Sequence, residues 1–165
     1  MKNLLLTCCV LTLIFSSCKK ETGPAGANGA NGNANIKSFI FTDPISFGYL
    51  FTDTLPGVTY SSIDSSLVLA YVQGYVCASN WYTAPGIGCN GSYSTRVFTN
   101  KLMNNQTLFV LELRNIDGSV DISMTESVSK LKVIIAPVSS VVTGKKEQVD
   151  FSDYHATCRY LNIAE

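Results

Sequence analysis

Charge is scarce in this chain. Charged residues make up 15% of it, with 12 Lys+Arg against 12 Asp+Glu, where an average domain carries ~25%. A chain so evenly balanced has no electrostatic footprint for nucleic acid. Lys19-Lys20 is the one basic pair near its front, too little for an anionic lipid surface. Histidine occurs once, at His155, which with a single unpaired cysteine is too few donors for zinc. The spacings of the P-loop, the serine nucleophile elbow and the His-Glu-x-x-His metalloprotease are missing. Acidic residues are scattered, so no carboxylate pair for glycoside hydrolysis is visible along the sequence. The reading is therefore of a non-enzyme: no catalytic residue, no metal ligand and no cofactor is expected.

The front end is more specific. Met1-Lys2 gives a short positive start, and Leu4 to Phe15 is apolar except for Thr7 and Thr12. That run is a signal-peptide core, well short of the ~20 apolar residues that span a bilayer. Ser16 and Ser17 supply the small side chains a signal peptidase admits, and Cys18 follows at once. Small residues and then Cys resemble the lipobox of bacterial lipoproteins, with Phe15 standing where that motif usually has Leu. The resemblance implies cleavage before Cys18 and lipid on its thiol. Several acyl chains there give stable membrane residence, whereas one alone is marginal. An ordinary secretory signal and a spanning anchor are the rival readings.

The chain then divides into residues 1–17 as signal peptide, 18–35 as lipidated cysteine and tether, and 36–165 as one domain. Gly23 to Ala34 reads Gly-Pro-Ala, Gly-Ala-Asn, Gly-Ala-Asn, Gly-Asn-Ala. Glycine at every third place is the collagen period. Four triplets with one proline are too few to hold a triple helix unaided, so the segment reads as a spacer, with a weak trimer through it as the other reading. From Cys18 to Asn35 it spans about 23 Å as a coil and about 55 Å as polyproline II.

Of six cysteines, Cys77, Cys89 and Cys158 fall in the domain. Cys77 and Cys89 flank one loop and are the expected disulfide, which would contribute about 3 kcal/mol by restricting the unfolded chain. Three unpaired thiols are the alternative.

The domain itself reads as β. Strand patterns cover 36–41, 45–51, 67–77, 93–99, 107–116, 120–124 and 130–136. Asp43-Pro44 is expected as a turn between the first two, and Asp117-Gly118 as a two-residue hairpin between 107–116 and 120–124. The nearly continuous apolarity of 67–77 predicts a strand covered on both faces. Phe151, Tyr154, Cys158 and Leu161 form one stripe at helical spacing, so 151–163 is expected as a helix with Asp150 as its N-cap. The prediction is a mainly β fold: a two-sheet β-sandwich of about seven strands with one short C-terminal α-helix.

Three constellations are worth testing against structure. His155 and Cys158 stand three apart, which on a helix puts them on one side, as a nucleophile and base would need. Gly86-x-Gly88-x-x-Gly91 spells the dinucleotide fingerprint, but a strand pattern follows where that motif needs a helix. The segment from Trp81 to Pro85 is expected as an aromatic loop, with Trp81 and Tyr82 as candidate ligand-binding rings, since loops on a rigid sandwich are where binding sits.

Asn35-Ile36 after the glycine triplets, Trp81-Tyr82-Thr83-Ala84-Pro85, the basic apolar run Lys130 to Pro137, and Tyr154 near the end form a set. Together with the lipobox they resemble a family of small collagen-like lipoproteins of Bacteroidetes. The resemblance implies a cell-envelope, outer-membrane location, facing the periplasm or the surface, and is silent on chemistry. The expected role is structural or interactive, toward an envelope protein, with a carbohydrate-binding role through Trp81 and Tyr82 as the alternative.

Overall fold

The computed structural model describes residues 35–165 apart from 76, 78 and 143–148. The signal-like segment, Cys18 and the glycine triplets lie outside the described residues.

The run Leu67 to Val72 sets the architecture. In an extended strand, alternate side chains point to opposite faces. Val68, Ala70 and Val72 join one apolar cluster while Leu67, Leu69 and Tyr71 join a second. The strand is covered on both sides, as its unbroken apolarity predicts.

Eight strands are described: β1 (Lys37–Phe47), β2 (Leu50–Thr59), β3 (Ser66–Gly74), β4 (Trp81–Ala84), β5 (Gly86–Ile87), β6 (Ser94–Lys101), β7 (Gln106–Arg114) and β8 (Glu126–Pro137). Helical pieces are α1 (Tyr60–Ile63), a 3-10 turn (Met103–Asn105), α2 (Val138–Val142) and α3 (Tyr154–Leu161). The strands form two antiparallel four-stranded sheets, ordered β1-β8-β3-β4 and β2-β7-β6-β5. They face each other as a sandwich over a shared core that includes Leu55, Phe109, Leu111, Val128, Leu131 and Val133. Phe41 of β1 and Phe51 of β2 meet edge to face across it, 5.4 Å between centroids. α3 covers the outer face of the first sheet, burying Tyr71, Ile134, Tyr154, Cys158 and Leu161 in the second cluster.

Three local expectations are corrected. Asp43-Pro44 is not a turn between strands but lies within β1, at a register shift between Thr42 and Ile45. β1 is an edge strand, and a bulge there tolerates proline because no ladder donor is needed. The direction change comes at Gly48-Tyr49, between β1 and β2. Asp117-Gly118 does turn the chain, with Gly118 at φ 83°, but residues 120–124 are not a strand. The turn is closed locally by Asn115–Ser119 backbone pairing, and the chain crosses to β8 in the other sheet. The N-cap of α3 is Asp153, whose carboxylate accepts from the Ala156 N–H at 2.9 Å. Asp150 instead closes the preceding turn by accepting from the Ser152 N–H at 2.8 Å.

Candidate functional site

Trp81 and Tyr82 do not sit on a loop. They open β4, an edge strand paired with β3, with Gln73 opposite Trp81 and Val72 opposite Tyr82. Adjacent residues of a strand face opposite ways. The Trp81 indole stacks on the Tyr154 ring of α3, with centroids 4.3 Å apart and planes at 26°. It is half-buried there against the second apolar cluster. Tyr82, opposite Val72, points to the sandwich side. The two rings therefore share no platform on which a sugar could lie, and one face of the indole is already covered.

Beneath that stack lies a cluster that sequence reading missed. Lys132 is fully buried in the middle of β8. Its Nζ donates to the Tyr154 hydroxyl at 3.1 Å and to the Ala164 carbonyl, and stands 3.8 Å from Cys158 Sγ. It also lies 5.1 Å from the centroid of the Tyr154 ring, within cation–π range. Burial, and after it the neighbouring Cys158, pushes the Tyr154 phenol well above its usual range. Tyr71 completes the contact: its hydroxyl donates to the Phe151 carbonyl at 2.8 Å and lies 2.7 Å from Thr157 Oγ1. Burial raises its pKa too. The one signal in the sequence was a lysine enclosed by Leu131 and Val133-Ile134-Ile135-Ala136. A strand buried on both faces has no wet side to which such a lysine can turn. The arrangement joins α3 and the C-terminal residues to the sheet. Buried charges are costly unless paired or well hydrogen-bonded, and these donors and acceptors meet that need.

Comparison with family models, with curated proteins and with solved structures finds no match to this chain.

The remaining constellations separate in space. His155 is exposed and pairs with Glu165, Nδ1 to Oε2 2.9 Å. Cys158 is a buried free thiol facing Lys132. Though close on α3, the two have different partners, one at the surface and one in the core. Cys77 and Cys89 are joined by a disulfide, with Cα atoms 6.1 Å apart, an ordinary span. It ties the β3–β4 connection to the β5–β6 connection. Gly88 and Gly91 have structural reasons to be glycine: a Cβ on Gly88 would collide with the Tyr93 ring, and Gly91 has φ 71°. Tyr93 packs into that gap, and burial, then the nearby Glu126, pushes its hydroxyl up to about 12. Among the described residues there is no group of three or more His, Cys, Asp or Glu able to hold a metal ion. No described helix is long and apolar enough to cross a membrane.

Proposed function

We propose that this chain is an exported bacterial lipoprotein of the cell envelope. In this reading Cys18 is lipidated and holds the protein to the outer membrane, facing the periplasm or the surface. Residues 18–35 are a spacer, and the sandwich domain has a structural or interaction role. The observation that carries the reading is the order Lys2, apolar Leu4–Phe15, Ser16-Ser17, Cys18. The Cys77–Cys89 disulfide supports it, because such bonds persist in oxidising compartments outside the cytosol. A carbohydrate-binding role through Trp81 and Tyr82 draws no support from rings that face opposite ways. The test is detergent phase partitioning of the full chain and of Cys18→Ser. The wild type is expected in the detergent phase with acyl chains on its N-terminal cysteine, and the variant in the aqueous phase. A variant that partitions like the wild type overturns the reading.

A further inference from the structure

The exposed apolar side chains of the domain are unevenly placed. Strand register fixes which end each belongs to. β1 runs from Lys37, opposite Ile135, to Phe47, opposite Glu126. The chain from the tether therefore enters at the end where β8 finishes, marked by Pro137 opposite Ser66. The far end carries the β3–β4 connection, the β5–β6 connection and the segment 115–125 between β7 and β8. Tyr75, Ile87, Ile116, Val120 and Ile122 are all there, between 47% and 76% exposed. Met103 and Val138 are at the entry end, and Ile40 is on the β1 edge.

Apolar residues gathered on the loops of one end, rather than scattered singly, mark an interaction surface. The end is also held in shape. The disulfide staples two of its connections. In the third, Asp117 and Asp121 each accept from a serine N–H two residues on, at 2.9 Å. A preformed surface loses less freedom on binding.

Charge indicates what fits it. The segment 115–126 carries Asp117, Asp121 and Glu126 and no lysine or arginine. Residues 75–93 carry no charged side chain at all. Arg114 at this end is occupied by Glu112 at 2.8 Å and the Gly118 carbonyl at 2.8 Å, and the exposed Arg96 stands opposite Glu112 on β6. Hydrogen bonds from Ser119 and Ser123 hold the Asp117 and Asp121 carboxyls below their usual range. An apolar tip flanked on its 115–126 side by three carboxylates is repelled by anionic phospholipid and complements a partner with Lys or Arg at its border.

We propose that this disulfide-stapled end, presenting Tyr75, Ile87, Ile116, Val120 and Ile122, is the docking surface for a protein partner that is apolar at its centre and bordered by Lys or Arg. The proposal rests on the interaction role read above and names its surface; it does not depend on the lipid.

The test is site-specific photocrosslinking of the full chain in the bacterium that makes it. A photoreactive residue is placed at Ile116, at Ile122, and at Met103 as the comparator from the other end. The same protein should be captured from Ile116 and Ile122 and not from Met103. Peptide mapping should place the adduct on an apolar segment flanked by Lys or Arg. The double substitution Asp117→Asn, Asp121→Asn keeps the Oδ1 acceptors that close the two turns and removes two negative charges, and it should cut the yield severalfold. A non-reducing gel verifies that the disulfide has formed. No adduct at Ile116 and Ile122, an adduct with lipid or with a second copy of the chain, or equal capture at Met103 overturns the proposal. Acyl chains on Cys18 are measured in the same cells. Lipidated chains without adducts sink the docking surface alone, and adducts on unlipidated chains sink the anchor alone.

Discussion

Thr107 and Lys132 are both fully buried polar side chains, and they should respond to replacement in opposite directions. Thr107 Oγ1 has no hydrogen-bond partner among the described residues. An unpaired buried hydroxyl costs about 1–3 kcal/mol. Thr107→Val keeps the shape and removes the penalty, so we expect a gain of about 1 kcal/mol in urea unfolding; a loss of that size would mean the hydroxyl is satisfied. Lys132→Ala leaves a cavity and strips the Tyr154 hydroxyl of its donor, with an expected cost of about 3 kcal/mol. Lys132→Met fills the space but removes the same donor, so it should cost about 1–2 kcal/mol less than Lys132→Ala, the cavity share of that loss. Equal losses for the two variants would contradict this. Tyr93 contributes to the alkaline limit alongside Tyr71 and Tyr154, whose hydroxyls burial also raises. The Tyr93 hydroxyl rises from 10.0 to about 12 on folding, so the native state keeps its proton longer than the unfolded one. That stability is complete below about pH 10 and is lost as pH climbs through about 12. Tyr93→Phe should flatten the fall in stability over this window, and an unchanged slope would assign it to other groups.

At the scale of elements, periodicity was legible and turn chemistry was not. Alternating or unbroken apolar runs located β1, β3, β6, β7 and β8, because burial on one face or two leaves a direct mark on sequence, whereas β4 was read as a loop, β5 was not read, and the alternation at 120–124 is not a strand. Asp43-Pro44 misled because proline reads as a stop, yet on an edge strand at a bulge it removes no needed donor. Asp117-Gly118 misled because a tight turn fixes only where the chain reverses, not which strand it next pairs with. The next strand after it, β8, is in the other sheet. For α3 the stripe was readable and the cap was three residues off, since Asp150 and Asp153 carry identical side chains and differ only in which turn they close. The expected consequence is measurable. Asp153→Ala should cost about 1 kcal/mol by loss of the cap, and Asp150→Ala clearly less, both read from thermal unfolding; the reverse order would restore Asp150 as the cap.

For the molecule as a whole, the sandwich was legible and the details of its surfaces were not. Which face a residue such as Lys132 or Trp81 occupies depends on pairings between strands far apart in the chain, and no local window contains them. The Cys77–Cys89 bond acts at this scale too. Reducing it should lower stability by about 3 kcal/mol on the loop-entropy account, seen as a lower urea midpoint; no change would mean the end is held by packing alone. The order of strands in the first sheet has one further consequence. β8 lies between β1 and β3, and it is the last of the described strands to be synthesised. A nascent chain that has reached Ser119 already holds every strand of the second sheet. The first sheet at that moment has its flanks without its hub. β1, with Phe39, Phe41 and Ile45, has no strand to pair with until Glu126–Pro137 emerges. Such long-range pairing is slow to form, and an apolar strand left waiting is open to pairing with other chains. On the export reading, the half-made sheet is therefore at greatest risk of aggregation just before residues 126–137 follow the rest of the domain across the membrane.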